Sequence, residues 1–151
     1  MKRLRASLAL CLVGIAAGVA GCHMNQRPIL GVQGGRLLPC PASPNCVCSQ
    51  DAEGDHQIPP LAFTGTGTEA LESLRGAIQA QPRATVVESK QDYLRAEFRS
   101  AIFRFVDDVE FLVDPAAKVI HVRSASRVGY SDLGVNRKRV ERLRAAFERA
   151  R

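Results

Sequence analysis

The sequence predicts an α+β domain: a four-stranded antiparallel sheet with two helices packed on one face, a two-layer sandwich. Three observations carry this. Leu71, Leu74 and Ile78, and later Val140, Leu143 and Phe147, fall at helical spacing. Between these two segments, from Ala84 to Arg123, apolar residues recur with period two. The connections between the alternating runs are short, which makes neighbouring strands antiparallel hairpins.

Residues 1–21 differ in composition from everything after them. Lys2, Arg3 and Arg5 precede an apolar run from Ala6 to Ala20, the layout of an export signal. At about 15 residues the run is shorter than the ~20 that a membrane-spanning helix needs. Val19-Ala20-Gly21-Cys22 is similar to a lipobox, where small residues fit the lipoprotein signal peptidase and the cysteine thiol takes a diacylglyceryl group. The expected organisation is a lipoprotein signal peptide at 1–21, a lipidated Cys22 with a flexible tether at 22–38, and a single α+β domain at 39–151. Each acyl methylene in the bilayer contributes about 0.8 kcal/mol, so two or three chains would hold the domain at a membrane. His23 stands where lipoproteins retained at the inner membrane often carry Asp, and by resemblance to that sorting rule the outer membrane of a bacterial envelope is favoured.

Pro28, Gly31, Gly34 and Gly35 give the tether no sustained periodicity. The run from Pro39 to Ser49 is dense in turn residues and reads as a tight loop, followed by an irregular stretch through Pro59 and Pro60. Cys40, Cys46 and Cys48 lie in that loop, and in an oxidising compartment a bridge between two of them would close it. Spacing alone leaves the pair open. The trio with His56 lacks a zinc-knuckle pattern, so a disulfide is expected and neither a metal nor a cofactor.

The first helix starts at Thr66, because Thr66-Gly67-Thr68-Glu69 has capping-box spacing, and Pro82 limits its end. Thr85–Ser89 and Tyr93–Arg99 are the first two strands. The third runs through Phe103, Phe105, Val109, Phe111 and Val113, and Asp114-Pro115 turns the chain into a fourth with Val119, Ile120 and Val122. The last helix follows Asp132 or Asn136, either of which suits a cap.

Length and composition set the limits on function. The 151 residues, 46% hydrophobic, suit one packed domain. Without the three leader bases the formal charge of +6 falls to about +3, and the chain has no Trp and only two Tyr. That is not the footprint of a nucleic-acid-binding protein, which clusters its charge and stacks bases on aromatic rings.

Strict alternation along the third strand points Asp107 into the core, where an unpaired carboxylate would cost several kcal/mol. Either a bulge at Asp107-Asp108 turns it outward or an arginine, Arg123 or Arg127, pairs with it. The polar face formed by Arg95, Glu97, Arg99, Arg104, Asp108, Glu110, His121 and Arg123 reads as solvated, with cross-strand ion pairs. The segment from Arg123 to Arg137 concentrates polar groups where a strand hands over to a helix, whose free N–H donors suit an anion. Asp107, Arg127, Tyr130, Ser131, Asp132, Asn136 and Arg137 are therefore the candidate binding residues. No catalytic set is expected. Gly129-Tyr130-Ser131-Asp132-Leu133-Gly134 is not a nucleophile elbow, and His23, His56 and His121 have no local partners.

Three stretches carry a family resemblance. Cys40-Pro41-Ala42-Ser43-Pro44-Asn45-Cys46, then Asp107-Asp108-Val109-Glu110-Phe111, then the run from Arg123 through Gly129-Tyr130-Ser131-Asp132-Leu133-Gly134 to Asn136 and Arg139 resemble domain-of-unknown-function family 1499. The resemblance covers Leu38 to the C-terminus and implies no established catalytic residues. It implies a Cys40–Cys46 pair, because the family has Ser where this chain has Cys48. The expectation is a membrane-tethered, non-catalytic envelope domain that binds a protein partner or a small anionic ligand through the strand-to-helix segment. A hydrolase using Asp107, Ser131 or Asp132, and a lipid-binding domain with an apolar cavity, are the alternatives.

Overall fold

The computed structural model describes residues 29–51 and 54–150. The leader and residues 22–28, which hold Cys22 and the start of the expected tether, lie outside the described residues. The element order is β1 (Val32–Gln33), β2 (Arg36–Leu37), β3 (Cys46–Cys48), β4 (Leu61–Ala62), α1 (Gly67–Gln79), β5 (Ala84–Ser89), β6 (Tyr93–Arg99), β7 (Val106–Asp114), β8 (Val119–Ser126) and α2 (Val135–Arg149). No helix among the described residues is long and apolar enough to cross a membrane.

The sheet has six strands rather than the four expected, with a separate two-stranded hairpin of β1 and β2. Its order is β3-β8-β7-β6-β5, and β4 also pairs with β8, so two short strands share one edge of β8. All the strand pairs are antiparallel. Of the added strands, β3 lies in the stretch read as a loop and β4 directly follows the irregular stretch that runs through Pro60. With two or three residues each they are too short to show a period, and long-range pairing with β8 creates them.

Both helices pack on one face of this sheet. Leu71, Leu74 and Ile78 of α1 and Val140, Leu143 and Phe147 of α2 join Leu94, Ala96, Phe98, Val109, Phe111, Ile120 and Val122 in one core. The Thr66–Glu69 capping box is present: Thr66 accepts from the Glu69 N–H, and the Glu69 carboxylate accepts from the Thr66 N–H at 2.9 Å. A Cβ at Gly67 would lie 2.8 Å from Val113 Cγ1, so glycine lets the start of α1 approach the sheet.

The third strand begins at Val106, not at Phe103. Phe103 and Phe105 sit in the β6–β7 connection, exposed and stacked on each other at 5.5 Å between ring centres. Leu30 to Leu37 falls in the segment read as irregular tether. It carries the β1–β2 hairpin, and the second face of the sheet is covered there: Leu37 packs with Tyr93 and Leu112, and Gly31 donates its N–H to Glu110 Oε1 at 2.6 Å.

Candidate functional site

Alternation along β7 divides its side chains between two charged networks, one on each side of the sheet. On the helix side Asp107 is buried, and no bulge interrupts its pairing with Phe98 and Ser126. Its partner is Arg139 of α2, neither Arg123 nor Arg127. The same guanidinium donates to Asn136 Oδ1 at 2.5 Å and to Ser124 Oγ at 3.2 Å, and lies over the Phe98 ring. Burial pushes the Arg139 pKa down, opposed by the Asp107 charge. Asn136 is wholly buried and fully used: its Oδ1 also accepts from Ser124 Oγ at 2.6 Å, and its Nδ2 donates to Asn45 O and Ser126 Oγ, both at 3.0 Å. This network joins the Cys40–Cys46 loop, the end of β8 and the start of α2, and the bridge between Cys40 and Cys46 is formed.

On the opposite side the expected cross-strand ion pairs are present, but Asp108, Glu110 and Arg123 are not solvated. Asp108 and Glu110 are fully buried, and Arg123 is 5% exposed. Asp108 accepts Arg127 Nε at 2.7 Å and Nη2 at 2.9 Å, and Arg95 Nη1 at 3.2 Å. Arg127 also reaches Glu97 at 2.5 Å, and these bonds, Asp108 foremost, raise its pKa. Glu110 accepts from Tyr93 Oη at 2.8 Å, Gly31 N and Arg123 Nη1 at 2.9 Å. Burial, then the Glu110 charge, pushes the Tyr93 phenol far up, so it is a permanent donor. The β1–β2 hairpin excludes water here, and the pairing of Asp108 with Arg95 and Arg127 and of Glu110 with Arg123 makes that exclusion tolerable.

Beside the hairpin lies a half-open cleft of about 680 Å³. Leu30, Gly31 and Val32 form one wall, Tyr93, Arg95, Glu97 and Arg127 part of its sheet-side lining, and Glu88, Lys90 and Asp92 the remainder. The two charge signs interleave. Lys90 reaches Glu88 at 2.7 Å, and that bond holds the Glu88 carboxyl below its ordinary range.

Of the candidate residues, Asp107 and Asn136 are linked through Arg139, and Arg127 lies across the sheet, lining the cleft. Asp132 accepts the N–H groups of Gly134 and Asn136 at 2.9 and 2.8 Å, closing the turn into α2. Ser131 accepts from Leu133 N at 3.3 Å, Arg137 donates to Asp55 O and Gln57 O, and Tyr130 is exposed. None of Asp107, Ser131 and Asp132 lines the cleft. Asn45 and Arg139 belong to the buried network but not to the expected set. The spacing of Asn136 and Arg139 by three residues on a helix would have placed them on one face. Among the described residues no cluster of His, Cys, Asp and Glu could hold a metal.

Residues 36–147 match the family model described as "Protein of unknown function (DUF1499)". No curated protein matches the sequence.

Proposed function

The chain belongs to this family of unknown function, and from that premise we propose that it is a lipid-anchored, non-catalytic domain of the bacterial envelope that binds a small ligand bearing both charge signs in the cleft beside residues 30–32. The cleft's lining carries the reading. Lys90, Arg95 and Arg127 stand against Glu88, Asp92 and Glu97, so a ligand carboxylate or phosphate can take over donors from Glu88, and a ligand amine can take the place of Lys90. Leu30, Val32 and Tyr93 add apolar contact. Arg127 is the member of the expected set that lines the cleft, and the anionic group of the ligand is assigned to it and Lys90.

The anchor is assigned to Cys22 and the outer membrane. Ile29, where the described chain begins, is exposed, and the seven residues from Cys22 to Pro28 span up to roughly 24 Å when extended. The lipid-binding alternative has less support, because Phe111, Phe147, Leu74, Ile78 and Leu143 fill the layer between helices and sheet.

A titration monitored by amide NMR, using free amino acids, short peptides and phosphoethanolamine as probes, tests the reading. Shift changes grouped at Gly31, Lys90, Tyr93 and Arg127 and abolished in Lys90→Glu support it. Changes confined to other surfaces, or no saturable change with any probe, refute it.

A further inference from the structure

Exposed apolar side chains are concentrated at one end of the molecule. Of the ten large hydrophobic residues exposed among those described, seven fall at 102–105 and 128–135. Ile102 is 82% exposed, Phe103 73%, Tyr130 76% and Leu133 86%. The two connections sit together, because β6 ends and β7 begins where β8 ends, and Arg127 N donates to Val106 O at 3.1 Å. Both are pinned at the base: Ser100 and Phe105 exchange N–H bonds through Phe105 O and Ser100 Oγ, each at 2.9 Å, and Asn45 Nδ2 donates to Gly129 O at 2.5 Å. Arg104 and Leu133 take left-handed backbone angles, φ 55° and 53°, that β-branched side chains avoid. The aromatic tips therefore stand outward on fixed supports.

Charge decides what they meet. The only carboxylate in residues 100–105 and 127–134 is Asp132, and its oxygens are occupied by backbone N–H groups. Arg104 is exposed within the first connection, and Arg83, with φ 59°, is joined to the base of that hairpin through Arg99 O; neither has a carboxylate partner among the described residues. At the other end of the sheet, 90–92 and 114–118 carry Asp92 and Asp114 with Lys90 and Lys118, and no large apolar side chain is exposed there. One end is apolar with free cations and the other is polar with mixed charge.

We propose that the end formed by residues 102–105 and 128–133 inserts into an anionic lipid surface, with Ile102, Phe103, Tyr130 and Leu133 in the headgroup and acyl boundary and Arg83 and Arg104 on lipid phosphates. Apolar tips with two arginines beside them match the interface, where aromatic rings settle and guanidiniums hold phosphate. The contact orients the domain and does not depend on lipidation of Cys22.

The test uses the absence of tryptophan from the chain. Phe103→Trp, Tyr130→Trp and, at the far end, Ala117→Trp are made separately in the whole chain. Each is mixed with phosphatidylglycerol–phosphatidylethanolamine vesicles containing brominated acyl chains. Blue-shifted, quenched emission from the first two with water-like emission from Ala117→Trp, and less quenching when Arg104→Glu is added, is the expected result. Equal quenching at Ala117→Trp, or unquenched tip tryptophans on vesicle-bound protein, overturns the proposal. So does a blue shift at the tip without vesicles that tracks dimer formation, which would make a second copy the occupant.

Discussion

Arg139 of α2 and Asp107 of β7 meet in the interior with side chains only 8% and 10% exposed, which welds the last helix to the central strand of the sheet. Removing one partner leaves the other buried and uncompensated. Asp107→Ala is expected to lower stability by about 3–5 kcal/mol, whereas Asp107→Leu with Arg139→Met recovers most of the loss. Urea unfolding of the single and double variants measures both, and additive losses would contradict the coupling.

Asp108 depends on the fork of Arg127, because the guanidinium supplies Nε and Nη2 to its two oxygens. Lysine keeps the charge but cannot make the paired contact. Since the Arg127 side chain is 31% exposed, water compensates in part, and Arg127→Lys is expected to cost about 1 kcal/mol. A shift in the urea midpoint with unchanged slope checks this.

The Cys40–Cys46 bridge closes a loop whose Asn45 carbonyl receives Asn136. In the chain-entropy relation a loop this small contributes about 2 kcal/mol, and Cys40→Ala with Cys46→Ala should lose about that much. Cys48 is fully buried, and burial raises its pKa, so with Cys11 and Cys22 replaced by Ser the oxidised chain should take up iodoacetamide only at the rate of unfolding. Rapid alkylation of the folded protein would rule this out.

His121 has a pKa below its ordinary 6.5, chiefly through burial and then Arg36, against an opposing pull from Asp114; its Nδ1 lies 3.3 Å from Ser49 Oγ. In this window the unfolded chain binds more protons than the native one. The contribution of His121 is thus present above pH 6.5 and is lost as pH falls through the lower folded-state value. His121→Gln should flatten the stability profile just below pH 6.5, as thermal unfolding across a pH series would show.

Period and spacing made the layer of two helices on a sheet legible, because Leu71, Leu74, Ile78, Val140, Leu143 and Phe147 face a core that needs them. The strands at Cys46–Cys48 and Leu61–Ala62 were not legible, since pairing with β8 rather than local preference forms them. Alternation pointed Asp107 inward but left a bulge open as the alternative, and its partner was not legible, because Arg139 is 32 residues away and only its three-residue spacing from Asn136 marks it. Burial of Asp108, Glu110 and Arg123 was equally hidden. It depends on a glycine-rich stretch folding back over the sheet, and glycine carries no pattern of burial in sequence.

Opposite chemistries on the two faces of β7 also act before folding is complete. Val109, Phe111 and Val113 meet the helices, while Asp108 and Glu110 meet arginines on the other side. A nascent hairpin displaced by one residue would bring both carboxylates under Leu74 and Phe147 and turn three apolar side chains toward Arg95 and Arg123, a penalty of several kcal/mol for each misplaced charge. The buried ion pairs thus proofread strand register, discarding misaligned hairpins that an all-apolar strand would tolerate.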